Sequence, residues 1–291
     1  MSQQTGVIHD LGYRGYTGPR EGLGQVAWTL FITGLRHAYG LGRSGRSKAL
    51  PFTLLGIMLL PAAIMVGTVA MVDLPELPTT YAGYPSTMQV LVSLFAAAQA
   101  PVLFSRDLRH RSIVLYLARP LPPRMFALVR WASLTVAVLI FTLVPTLLLY
   151  AGALLSGLDA GEETPPFLKA AVLQVLLAAM LAGITGLIAS WALRRGFAVV
   201  ASIVVLIVVV GVVMIVQSIA HFEEISTVGE LAGLVSPWSI HNGIAKEWDA
   251  STNALGTMSA AWTAGYVAAA LAIVAGCLAL LVARFTKVGA R

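Results

Sequence analysis

The sequence predicts an all-α integral membrane protein: six transmembrane helices preceded by an N-terminal interfacial amphipathic helix, with both termini in the cytoplasm. Three observations carry this. Of the 291 residues, 58% are hydrophobic and only 11% charged, against a charged share of about a quarter in soluble domains. The apolar residues come in blocks of about 20 to 24, the length that crosses ~30 Å of hydrocarbon at ~1.5 Å per residue. The basic residues are gathered on alternate connecting segments. This composition, with a mean hydropathy of +0.83, excludes a soluble enzyme, a secreted disulfide domain and a disordered chain. A transmembrane β-barrel is excluded because its strands alternate polar and apolar residues over ~10 positions. The single cysteine, Cys277, lies inside an apolar block, so no disulfide framework is available.

In chain order, residues 1–20 carry Gly6, Gly12, Gly15, Gly18 and Pro19 and read as a flexible cytoplasmic N-terminus, without the early apolar core of a cleavable signal. Residues 21–49 read as an interfacial helix and a basic linker. Leu23, Val26, Ala27, Leu30, Phe31, Gly34, Leu35 and Ala38 follow the i, i+3, i+4, i+7 spacing. Gln25, Thr29, Thr33, Arg36 and His37 fall largely opposite, while Trp28 and Ile32 widen the apolar face. Such a helix lies in the membrane interface rather than crossing it, with Leu23, Val26, Leu30, Phe31 and Leu35 toward lipid. The alternative reading packs it on the ends of other helices; both lay it flat before the first span.

The transmembrane domain occupies 50–291, with spans at about 50–72, 87–104, 131–155, 167–191, 197–220 and 261–283. The second is the shortest and borrows Ser105 and its neighbours to finish the crossing. The fifth is rich in Val and Ile but far too long for a strand. Charge sets the orientation. With the N-terminus, the loops 105–130 and 192–196 and the C-terminal tail on one side, that side holds all of the 19 basic residues except Lys169 and Lys246. Asp73, Glu76, Asp159, Glu162, Glu163 and Glu230 fall opposite. The positive-inside rule places both termini in the cytoplasm. Topology thus explains the net charge of +6 without nucleic acid as a partner.

The loop 105–130 is the most informative segment. A charged head with Arg106, Asp107, Arg109 and Arg111 precedes an apolar patch containing Ile113, Leu115, Tyr116 and Leu117. Arg119 follows, then a break at Pro120, Pro122 and Pro123, and Arg124. Proline cannot continue a helix there, so the chain turns before the next span. A short helix with basic edges and an exposed apolar patch suits docking to a soluble partner. Hydropathy and charge alone fit an ordinary positive-inside loop equally well.

The pattern Asp107-x-Arg109, Ser112, Leu115-Tyr116-Leu117-Ala118-Arg119-Pro120-Leu121 and Arg124 resembles the cytoplasmic loop of ABC-2 type transporter permeases, the membrane subunits of a class of ATP-binding cassette exporters. Ser112 stands where family members often carry glycine. The resemblance extends over nearly the whole chain in layout. It implies that this loop carries a coupling helix seated on a cytoplasmic ATPase subunit. Arg106, Asp107, Arg109, Arg111, Ile113, Leu115, Tyr116, Leu117, Arg119 and Arg124 would then be ATPase contacts rather than catalytic residues. It further implies a second copy of the chain or a related permease, surrounding membrane lipid, a multi-pass location in a bacterial plasma membrane, and ATP and Mg bound in the partner but no cofactor in this chain. In the family, the region matching the extracellular cap 221–260 holds short re-entrant helices; Ser236-Pro237-Trp238 would be the break between two of them. A non-transporting membrane scaffold that recruits a cytoplasmic partner through the same loop is the alternative.

Other signals are weak. Gly40-Leu41-Gly42-Arg43-Ser44-Gly45 matches a dinucleotide fingerprint by spacing but lacks the preceding strand that a phosphate cradle requires. His221, Glu223, Glu224 and His241 have poor spacing for an external metal site. The spans hold no central Asp, Glu, Lys or Arg, which argues against an ion-driven carrier. Gln99, Gln174 and Gln217 either line a pathway or bond between helices. Ala178, Ala182, Gly186 and Ser190 form a small-residue stripe that marks close helix packing, within the subunit or across a dimer.

Overall fold

A computed structural model describes residue 18 and residues 22–42, 45–72, 74–105, 121–192, 194–249 and 259–289. Most of these residues are helical, with no strand among them. Five helices are long and apolar enough to cross a membrane. They are α2 (Gly45–Val72), α5 (Pro123–Leu155), α6 (Ala160–Trp191), α7 (Arg195–Phe222) and α10 (Ala260–Gly289). The remaining elements are α1 (Leu23–Ala38), α3 (Gly83–Thr87), α4 (Gln89–Leu103), α8 (Ser226–Gly233) and α9 (Pro237–Asp249).

Several long helices start well before the apolar blocks. α5 begins at Pro123 rather than Trp131 because Pro122 is extended and Pro123 sits at the first turn, where its missing N–H costs nothing. α6 begins at Ala160 because Asp159 caps it: the carboxylate accepts from the Glu162 amide at 3.1 Å, and Glu162 and Glu163 complement the helix dipole. α7 is not a regular helix throughout. A π-helical turn occupies Val204–Val208.

The second apolar block divides. α4 has 15 residues, about five short of a hydrocarbon crossing, and Met88 leaves helical geometry between it and α3. α4 is also largely enclosed: Val92, Phe95, Ala96, Ala97, Ala100 and Leu103 are buried. Protein, rather than lipid, covers this short helix. Its Phe95 stacks on Phe141 of α5 at 4.3 Å, and the α5–α6 hairpin closes around it. By contrast α2, α7 and α10 leave most of their apolar surface open, including Phe52, Leu60, Ile64, Phe197, Ile215 and Leu280. That is the surface expected of helices solvated by lipid.

The small-residue stripe packs inside the subunit. A methyl on Gly186 would come within 2.9 Å of the Phe104 ring beyond α4, and one on Gly183 within 2.9 Å of Cys277 in α10. Charge separates along the helix axes. One end, where α2, α5 and α7 begin and α4, α6 and α10 finish, carries Arg46, Lys48, Arg124, Arg194, Arg195, Arg284 and Lys287 and no described carboxylate. The other carries Glu76, Asp159, Glu162, Glu163, Glu223, Glu224, Glu230 and Glu247, with Lys169 and Lys246. We call these the basic and acidic ends.

Candidate functional site

At the basic end, α4 hands the chain to the loop that the sequence singles out. Arg106, Asp107, Arg109, Arg111, Ile113, Leu115, Tyr116, Leu117 and Arg119 lie outside the described residues. Both points from which this loop springs are fixed. The Ser105 hydroxyl donates to the Ala189 carbonyl of α6 at 2.6 Å, and Leu121 is buried in the core. Arg124 is exposed on the first turn of α5. Arg130, one helix stretch further, is buried, with its guanidinium 5.3 Å from the Phe126 ring.

α1 flanks the same end and shows three faces. Ala27, Leu30, Gly34 and Ala38 are buried against the bundle. Gly34 permits the approach, since a methyl there would meet the Ser133 hydroxyl of α5 at 2.6 Å. That hydroxyl lies 3.1 Å from the Phe31 carbonyl. A second apolar face carries Trp28, exposed and stacked on Phe31 at 5.5 Å. Gln25, Thr29 and Arg36 form the third, polar face. Of the residues predicted to face lipid, Leu30 therefore faces protein, Val26, Phe31 and Leu35 are half-buried, and Leu23 is exposed. The packed reading of α1 holds along one face because the helix is apolar over about half its circumference.

The glycines after α1 shape a turn. Gly40 and Gly42 have φ of +67° and +77°. The Leu41 amide donates to the Arg36 carbonyl at 2.7 Å and that of Gly40 to His37 at 3.1 Å, as in glycine-terminated helix caps. A methyl at Gly40 would lie 2.3 Å from the Ser47 carbonyl oxygen. The fingerprint-like spacing is thus accounted for by chain reversal.

At the acidic end, α8 and α9 fold back onto the bundle, meeting at Ser236-Pro237-Trp238. The pair is tied to five neighbours. Gln217 of α7 donates to the Gly229 carbonyl at 3.2 Å. Tyr266 of α10 donates to the Glu230 carbonyl at 2.8 Å. The Trp238 indole, fully buried, donates to the Ser93 hydroxyl of α4 at 2.9 Å. His241 Nε2 lies 3.1 Å from the Ala82 carbonyl beside α3, and Ser86 bonds Asn242. Lys169 of α6 completes the seam by donating to the Trp248 carbonyl at 3.0 Å.

These contacts dissolve the external metal reading. His241 is buried and aimed at a carbonyl, whereas His221, Glu223 and Glu224 are exposed at the far end of α7. The glutamines act mainly between elements: Gln174 donates to the Thr146 hydroxyl at 2.9 Å in the α5–α6 interface, and Gln217 holds α8. Sequence reasoning missed Tyr266, whose ring lies between Gly233 and Gly243. No local pattern links one tyrosine in an apolar span to two distant glycines. No protein family model matches the chain, and no curated protein matches it.

Proposed function

We propose that the chain is the membrane subunit of an ATP-binding cassette exporter of the ABC-2 type. The observation that carries this reading is the opposition of two features across one bundle. A loop with the Asp107-x-Arg109 and Leu115–Pro120 pattern is slung from two fixed points at the basic end. At the acidic end, a pair of short helices is tucked back against α4, α7 and α10. In this reading the basic end is cytoplasmic, together with both termini, and α3–α4 serves as the second of six crossings, shortened because protein surrounds it. Two such subunits form the pathway. ATP and Mg are bound and hydrolysed in separate cytoplasmic ATPases that grip residues 106–124.

Within that reading the side chains divide the labour. Arg109 and its neighbours supply charge to the ATPase cleft, and Tyr116 and Leu117 supply the apolar contact. Ser105 and Leu121 transmit the loop's movement to α6 and the core. Movement of α8–α9 away from Ser93 and Ala82 opens the acidic, external end. The few charges in the spans favour a lipid, an amphipathic drug or a hydrophobic natural product as cargo, exported from a bacterial plasma membrane. The test is affinity purification of the full chain from native membranes. An ATPase with Walker motifs should co-purify and be lost on Arg109→Glu. A stable partner without any ATPase motif would replace the exporter by a membrane scaffold.

A further inference from the structure

Trp191 ends α6 at the basic end and is 67% exposed. On α10, Phe285 is driven into the core against Phe104 and Phe126. This places its neighbour Arg284 over Trp191, with the guanidinium carbon 4.9 Å from the ring centroid. Stacking fixes the plane of the guanidinium, and its Nε is buried with no acceptor. Arg194 and Arg195 stand at the start of α7, three and four residues after Trp191, and Lys287 stands one turn beyond Arg284. Arg284 thus lies over the ring, and Arg194, Arg195 and Lys287 share its end of the bundle, with no described carboxylate there. Deeper along the same helices, Leu280, Phe197 and Val200 expose apolar side chains.

We propose that this corner binds the headgroup of an anionic glycerophospholipid in the leaflet against the basic end. A lipid phosphate offers two oxygens to the planar fork of a pre-oriented arginine. Trp191 sits at the depth where indoles mark the headgroup boundary. Leu280, Phe197 and Val200 provide the wall along which acyl chains run. Arg194, Arg195 and Lys287 add attraction of roughly fivefold each at a membrane surface. Arg46 and Lys48, at the same end, are exposed beside the open apolar face of α2, but among the described residues no ring orients either of them. They supply charge without a site.

The experiment is native mass spectrometry of the purified full chain in detergent, titrated with phosphatidylglycerol or phosphatidylcholine of identical acyl chains. The wild type should retain phosphatidylglycerol about tenfold more tightly, the scale expected when more than one cation acts together. Arg284→Gln should remove most of that preference. Arg284→Lys, which keeps the charge but loses the fork, should remove part of it. Arg46→Gln with Lys48→Gln, a larger loss of charge at the same end, should leave it intact. Equal retention of the two lipids by the wild type overturns the site, whatever the variants do. So does an equal loss in the Arg46/Lys48 control, which would make the effect one of diffuse charge.

Discussion

The hydroxyl of Tyr266 in α10 donates to the main-chain carbonyl of Glu230 in α8 at 2.8 Å. This bond ties a short helix of the acidic end to a membrane-length helix. The ring below that hydroxyl occupies the space that side chains at Gly233 and Gly243 would need: a methyl at Gly243 would lie 2.5 Å from the ring edge. Gly243→Ala should therefore destabilise the protein by about 1–3 kcal/mol through overpacking. In a Tyr266→Ala background the same substitution should cost little, giving a coupling of at least ~1 kcal/mol. Thermal unfolding of the four proteins in one detergent measures the cycle, and additive effects would show that ring and glycine do not share this space.

His241 should make the acidic end sensitive to pH. The Ala82 carbonyl accepts, so Nε2 carries the proton, and Nδ1 is buried without a partner. Burial pushes the imidazole pKa below its ordinary 6.5, with the Ala82 bond acting weakly the other way. Because the folded pKa is the lower one, the unfolded state binds more protons below 6.5. Stability from this group is full above that pH and is lost as the pH falls. The melting temperature should hold between about pH 8 and 7 and drop toward about pH 5. His241→Gln retains a donor for Ala82 and should flatten the profile. An unchanged slope in that variant would assign the acid sensitivity elsewhere.

In the α5–α6 interface, the Thr146 hydroxyl accepts from the Gln174 amide nitrogen at 2.9 Å, both side chains are buried, and the Gln174 Oε1 has no partner. Thr146→Val strands that amide and should cost about 0.6–2 kcal/mol, the range for polar contacts between membrane helices. Adding Gln174→Leu should recover part of the loss, because an apolar pair of similar shape leaves nothing unsatisfied. Unfolding in detergent gives both numbers, and a double variant worse than the single one would mean that Gln174 serves another partner.

What was legible in the sequence follows from the range of each force. Hydrocarbon thickness acts on runs of residues, so the long apolar helices stand out, and charge asymmetry marks their two ends. Hydropathy alone starts two helices late, because local chemistry, the Asp159 cap and the Pro122-Pro123 pair, extends α6 and α5 beyond their apolar blocks. The division of α3 from α4 was hidden because hydropathy does not report whether protein or lipid covers a helix. Contacts such as Tyr266 with Gly243 or Trp238 with Ser93 join residues far apart in the chain, and no periodicity encodes them. The spacing of α1 was clear, but an apolar arc of that width serves a bundle and a membrane together.

Orientation follows from the same charge asymmetry. A reporter fused after Arg291 should be cytoplasmic, and one inserted near Asp159 should be external. Protease protection of either tag in intact cells reads this out. A reversed pair would put the basic end outside and remove the ATPase from reach of the 106–120 loop.

In the proposed exporter the 106–120 loop touches an ATPase. A docked apolar contact loses several kcal/mol when a charge is forced into it, whereas an exposed loop loses under about 1 kcal/mol. Tyr116→Asp should thus release the partner while leaving membrane insertion intact. The most direct measurement replaces Tyr116 with a photo-reactive phenylalanine analogue in the full chain and identifies what it captures in living cells. The expected result is a covalent product with a soluble subunit bearing Walker motifs, at yields that fall when Arg109→Glu is added. Capture of lipid alone, or of a protein without a nucleotide-binding motif, would contradict it.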